Sequence, residues 1–140
     1  MGENADVFQY FLGALPHFLG YFCFAVFLFG LFLLIYLWVT PYAEIELIRG
    51  GNLAAALNLG GALLGFSLPL ASTIAHSVSI LDVALWALVA LALQIGVHFL
   101  SRVLIKDMVR LIESGMVSVG AMACCLSLGF GVLNAACLTY

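Results

Sequence analysis

Apolar residues fill four long stretches of this chain almost without a break, at about 16–39, 53–75, 80–101 and 116–140. The hydrocarbon core of a bilayer is about 30 Å thick and takes roughly 20 apolar residues to cross as a helix. Each stretch is therefore read as a transmembrane helix, and the predicted fold is an all-α membrane protein of four spans arranged as two hairpins. Composition sharpens this. With 66% hydrophobic residues, 8% charged and a mean hydropathy of +1.24, an ordinary soluble domain is excluded. The longest gaps between spans, 40–52 and 102–115 of the 140 residues, leave no room for a soluble domain. The modest net charge of −3 speaks against nucleic acid as a partner.

Charge placement predicts orientation. All four basic residues, Arg49, Arg102, Lys106 and Arg110, follow the first and third spans. The positive-inside rule then puts both basic loops in the cytoplasm and both termini outside. Trp38 and Tyr42 are expected at the cytoplasmic interface and Tyr140 at the outer one, where amphipathic rings prefer to sit. The N-terminus carries Glu3 and Asp6 in place of a basic n-region, so it is read as retained rather than cleaved. Gly13 and Pro16 predict a break, with 1–15 lying in the outer interface. The expected units are that segment, a first two-helix unit at 16–75 and a second at 76–140.

An offset of 64 residues aligns 46–74 with 110–138 at seven identical positions: Leu47/Leu111, Ile48/Ile112, Gly51/Gly115, Leu64/Leu128, Gly65/Gly129, Phe66/Phe130 and Ala71/Ala135. Each copy is a hairpin with its loop on the same side, so the repeats are parallel and imply a pseudo-twofold axis along the membrane normal.

The spans differ in texture. The first is crowded with Phe18, Phe22, Phe24, Phe27, Phe29 and Phe32, suited to lipid contact. The second carries Ala54, Asn58, Gly61, Gly65 and Ser72 at helical spacing, and the fourth Gly120, Cys124, Ser127, Gly131 and Asn134. Lipid offers no hydrophobic drive between helices, so such smooth faces are where backbones approach. The second and fourth spans are expected at the centre, the first and third outside. Pro69 lies inside the second span and should free the carbonyl of Gly65 and kink the helix.

Polar groups at membrane depth are costly and need partners, which singles out Asn58, Gln94, His98 and Asn134. Gln94, His98 and Arg102 step along one face of the third span, a pattern open to a proton or ligand path ending in a titratable histidine. The competing reading is plain interhelical hydrogen bonding, worth about 0.6 kcal/mol per bond, and it is favoured because no embedded carboxylate accompanies the histidine. His17 and His76 are read as outer-surface residues, and Ser79-Ile80-Leu81-Asp82 as a capping box opening the third span. Arg102, Lys106 and Arg110 are four apart and predict an amphipathic continuation of that span to Ser114-Gly115, facing anionic headgroups or an acidic partner. Cys23, Cys124, Cys125 and Cys137 lack metal or redox spacing and read as small apolar residues.

A family resemblance rests on the run Thr40-Pro41, Glu44, Leu47-Ile48-Arg49, Asn52 and Ala54-Ala55. It continues through Leu64-Gly65-Phe66 with Pro69-Leu70, Ser77-Val78-Ser79-Ile80 with Asp82, then Trp86 and Gln94, and closes on Asn134-Ala135-Ala136-Cys137 with Thr139. In these residues the chain resembles the YjfL-type bacterial inner-membrane proteins. The resemblance implies a multi-pass protein of the bacterial inner membrane, made of two copies of a two-helix domain and with no established activity. It also implies a cytoplasmic or envelope protein partner, since relatives are often encoded near an ATP-grasp protein similar to glutathionylspermidine synthase.

No nucleophile–base pair, metal cluster or paired carboxylates are present, so no enzyme, cofactor or metal is expected. The leading expectation is a membrane scaffold or assembly partner in envelope maintenance. It would be embedded in the lipid bilayer, as a homo-oligomer or with a protein partner. The alternative is a subunit of an oligomeric channel or transporter for an ion or small solute, with Asn58, Gly61, Gly65, Pro69, Gln94, His98 and Asn134 as packing or pathway residues.

Overall fold

The computed structural model of this chain describes residues 2–139. Six helices follow one another: α1 (Gly2–Val39), α2 (Glu44–Arg49), α3 (Leu53–His76), α4 (Ile80–Leu104), α5 (Met108–Glu113) and α6 (Val117–Cys137). Of these, α1, α3, α4 and α6 are long and apolar enough to cross a membrane, and no strand occurs among the described residues. The short helices α2 and α5 sit at the end of the bundle that also carries the basic residues, here called the basic end.

The centre of the bundle is the seam between α3 and α6. These helices run side by side in the same direction, with Ala54 against Gly120, Gly61 against Cys124, and Gly65 against Ser127 and Gly131. A Cβ placed on Gly65, Gly120 or Gly131 would fall on main-chain atoms of the facing helix, so contact at this distance requires glycine. Pro69 is accommodated within α3, which continues to His76. The Gly65 carbonyl deprived of its helical donor by Pro69 lies against Gly131 across the seam, and the Thr73 hydroxyl donates to the Pro69 carbonyl at 2.8 Å.

Around the seam, α1 and α4 build an apolar core from Leu28, Phe32 and Tyr36, from Leu59, Ala62, Phe66 and Leu70 of α3, and from Val83, Ala87 and Ala90. Phe32 is a correction to the lipid-facing expectation: it is fully buried and stacks on Phe66 with ring centroids 4.4 Å apart. Phe18, Phe22 and Phe27 on the same helix are exposed. Ser79 caps α4 by accepting from the Asp82 amide at 3.2 Å, while Asp82 accepts from the Val78 amide at 3.4 Å.

Two expected breaks differ from what is observed. α1 runs unbroken through Gly13 and Pro16, and its 38 residues make it about 57 Å long at about 1.5 Å per residue. The proline removes one donor, but residues 4–14 are exposed all round and no neighbouring element pulls the chain aside. Conversely, the third span does not continue to Gly115. It ends at Leu104, Ile105 is extended, Asp107 takes a left-handed φ of 57°, and α5 starts afresh. Arg102, Lys106 and Arg110 therefore stand on a helix, a loop and a second helix rather than along one face. All three are exposed, and Arg110 reaches Asp107 at 3.9 Å.

α2 and α5 match in detail. Both have six residues, and they begin 64 residues apart, at Glu44 and Met108. Gly51 and Gly115 close them at φ of 87° and 83°, their amides bonded to Ile48 and Ile112 carbonyls at 2.9 Å in each case. Asn52 joins the two turns: its Oδ1 caps α3 through the Ala55 amide at 2.9 Å, and its Nδ2 donates to the Ile112 carbonyl at 2.7 Å.

Candidate functional site

At the basic end, the chain leaving α1 folds back beneath the bundle and brings five polar side chains to one buried place. α1 contributes Tyr36 in its last turn, the following turn contributes Tyr42, and α2 contributes Glu44 as its first residue. From α3 comes Asn58, one turn into the helix, and from α4 comes His98. Glu44 is 1% exposed and Asn58 2%. Apolar residues around them from every helix would strand such groups unless they satisfy one another.

Asn58 is the hub. Its Nδ2 lies 3.0 Å from the Tyr36 hydroxyl, 2.8 Å from the Tyr42 hydroxyl and 3.0 Å from Glu44 Oε1. An amide nitrogen has two protons to give to these three oxygens, so the group is crowded with acceptors. Tyr42 relieves this in part by bonding its own hydroxyl to the Glu44 carboxyl. Tyr36 passes the chain on, its hydroxyl 3.2 Å from His98 Nδ1. Two buried atoms of this cluster have no hydrogen-bond partner among the described residues, Glu44 Oε2 and His98 Nε2. Burial pushes the Glu44 carboxyl up from 4.5 to about 7, against the lowering effect of its bonds from Tyr42 and Asn58. The Tyr42 phenol is raised far above its usual range, first by burial and then by the neighbouring carboxylate.

This cluster sets a buried carboxylate near His98, from outside the spans, which the sequence reading did not anticipate. Glu44 lies in what looked like a polar loop, and the fold turns it inward. Tyr42, expected at the interface, is likewise buried in the cluster, while Trp38 is exposed. Tyr140 lies outside the described residues.

Among the other candidate residues, Gln94 is buried beside the seam and donates to the Ser127 carbonyl at 3.3 Å. Gly61, Gly65 and Pro69 belong to the seam and its core, with Gly65 against the Gln94 amide and apart from the Asn58 cluster. Asn134 is half-exposed near the far end of α6 and makes no side-chain hydrogen bond to another described residue. The structure therefore joins Asn58 and His98 and leaves Gln94 and Asn134 apart from them. Arg102, one turn beyond His98, bears electrostatically on Tyr42 and lies 6.0 Å from the Phe99 ring. Among the described residues, no three His, Cys, Asp or Glu side chains converge as a metal site would require.

Compared with known proteins, residues 10–138 match the model of a family described as a domain of unknown function, DUF350. The chain belongs to the DUF350 family. It is similar to the UPF0719 inner membrane protein YjfL of Escherichia coli strain K12, at 34% identity over 132 residues, which is 94% of this chain and all of that protein. The same figures hold for YjfL of Escherichia coli O157:H7. No solved structure matches. With four membrane-crossing helices and this kinship, the DUF350 chain is a multi-pass protein of the bacterial inner membrane.

Proposed function

We propose that this DUF350 protein is a membrane scaffold or assembly unit of the bacterial envelope, built from two copies of a helical hairpin. The observation that carries the reading is the closed interior. Between the polar cluster and the far end, the bundle is filled by Phe32 stacked on Phe66 and by Leu28, Leu70, Val83, Ala87 and Ala90. The α3–α6 seam is shut by backbone contact. One copy thus has a packed apolar plug where a conduit would need polar lining. No catalytic activity is proposed. The basic end, with Arg102, Lys106 and Arg110 exposed, faces the cytoplasm in this reading and meets anionic headgroups or an acidic partner surface.

One observation favours a second reading, a subunit of an oligomeric channel or transporter for an ion or small solute. The buried Glu44–Asn58–Tyr36–His98 chain links a carboxyl at the basic end to polar groups of three spans, as a transport path would need, and it would need a homo-oligomer to gain access to the other side. Ion and small-solute flux through purified protein in proteoliposomes, with the oligomeric state measured in the same preparation, separates the two. A tight membrane around folded protein is the expected result. Flux that vanishes in folded Glu44→Gln or His98→Gln protein would overturn the scaffold reading.

A further inference from the structure

Packing alone does not call for a carboxylate at position 44. The matching helix α5 begins 64 residues later with Met108, as deeply buried at 2% exposure, and closes with the same glycine turn. An uncharged side chain therefore fills this niche in one of two like places. In the other, the chain sets a carboxyl group with one oxygen lacking any protein partner. Among the described residues no cation lies within ion-pair distance of it. The titratable and charged groups near it are Tyr36 from α1, Tyr42 from the turn before α2, and His98 and Arg102 from α4. α3 adds the neutral Asn58, and the adjoining cluster shared with α5 and α6 is apolar, with Met108, Ile112, Val119 and Ala123. On α2 itself, Glu46 and Arg49 are exposed, as are Arg110 and Glu113 on α5.

We propose that Glu44, held by Asn58 and Tyr42 beside the Tyr36–His98 pair, is a proton-binding site at the basic end of the bundle, and that losing the proton undocks α2. The protonated carboxyl is neutral and keeps its contacts with Asn58 and Tyr42. Once ionised, its partnerless oxygen leaves a buried charge with no protein cation at ion-pair distance among the described residues, and the carboxylate is better solvated outside. Little else holds α2, since it has six residues, of which only Leu47 and Ile48 besides Glu44 are withdrawn from the surface. Gly50 and Gly51 form its hinge. Undocking would bare Tyr42, Ala54, Met108 and Ile112, joining the proton to the shape of the face that carries Arg102, Lys106 and Arg110.

The sign follows from burial raising the carboxyl from 4.5 to about 7. Docking is strongest at acid pH and weakens as pH rises between those values. The inference is independent of the scaffold reading, because a proteoliposome flux result leaves it untouched. The test is hydrogen–deuterium exchange of the whole protein in lipid nanodiscs, corrected for the intrinsic pH dependence of amide exchange. Protection of the amides of 44–49 is expected to fall about a hundredfold between about pH 5 and about pH 8. Glu44→Gln should abolish the pH dependence, and Glu46→Gln, at an exposed carboxylate of the same helix, should retain it. Protection independent of pH in the natural protein would overturn the proposal, as would a Glu44→Gln profile sloping like the natural one. If the Gln variant does not fold, the natural protein decides. Its infrared spectrum must lose a buried protonated-carboxyl band over the same pH range, and a band that persists or is absent throughout refutes the site.

Discussion

Gly129 and Gly131 lie two residues apart in α6, and only the second faces the seam. A Cβ on Gly129 would meet nothing within 4 Å, whereas one on Gly131 would fall on the carbonyl and Cα of Gly65. Alanine in place of glycine gains about 0.8–1 kcal/mol of helix propensity at either position. At Gly129 that is the whole effect, so Gly129→Ala should be neutral or slightly stabilising. At Gly131 the methyl group meets main-chain atoms, which have no rotamer to retreat into. Overpacking of that kind costs about 1–3 kcal/mol. Forcing the helices apart also loses the cover that Gly131 gives the Gly65 carbonyl, a weak contact worth about 0.5–1 kcal/mol. The two alanine variants should therefore differ in stability by about 1.5–4 kcal/mol, with Gly131→Ala the weaker. Reversible unfolding in mixed micelles, followed by Trp38 and Trp86 fluorescence, measures the difference. Stabilities within about 0.5 kcal/mol of each other, the scatter usual for surface changes, would refute the seam as described. Gly60 and Gly61 on α3 offer the same comparison, since only Gly61 faces Cys124.

Asn58→Leu removes the donor shared by Tyr36, Tyr42 and Glu44 and should destabilise the bundle by about 3 kcal/mol or more, given about 1–3 kcal/mol for each buried group left unpaired. Asn134→Leu, with no side-chain hydrogen bond to another described residue, should stay within about 0.5 kcal/mol of the natural protein in the same assay. Glu44→Gln should equal the natural protein at acid pH and exceed it above the pH where the carboxyl ionises, by up to about 3 kcal/mol for a rise from 4.5 to about 7; equal stability throughout would contradict the burial. Replacing Arg102, Lys106 and Arg110 together by Gln leaves Arg49 as the only basic residue and should produce mixed orientations in a cysteine-labelling map; a uniform map would remove these residues as the determinants of topology.

What the sequence revealed and what it hid divide along a physical line. Spans are legible because crossing a bilayer is a demand on every residue of a stretch, so α1, α3, α4 and α6 stand out by composition. The seam was legible for a related reason: Ala54, Gly61, Gly65, Gly120 and Gly131 mark the one face on each helix that can admit a backbone. Single-residue signals were less faithful. Pro16 was read as a break, yet one missing donor does not bend an α1 segment that nothing else touches. The basic spacing at 102, 106 and 110 suggests a continuous helix, and the extended backbone at Ile105, followed by left-handed Asp107, ends that continuity in a way no charge pattern reports.

Glu44 is the instructive failure. Hydropathy assigns a charged residue in a short gap to water, because it averages over neighbours in sequence, and the neighbours that bury Glu44 are distant in the chain. Tyr36 is 8 residues before it, Asn58 is 14 after, and His98 is 54 after. The tertiary fold alone makes them a set. The spacing Phe32, Tyr36, Thr40 marks a buried face at the end of α1, but that helix stops at Val39 and residues 40–43 are not helical, so the spacing does not reach Glu44. Thr40 is buried as well, its hydroxyl donating to the Tyr36 carbonyl at 3.0 Å. The polar cluster is thus assembled by the turn at 40–43 and the docking of α2, which the periodicity of α1 does not report. A fold that needed only an apolar plug there has Met108 as its precedent, so the acid at this position has to be explained by what it binds.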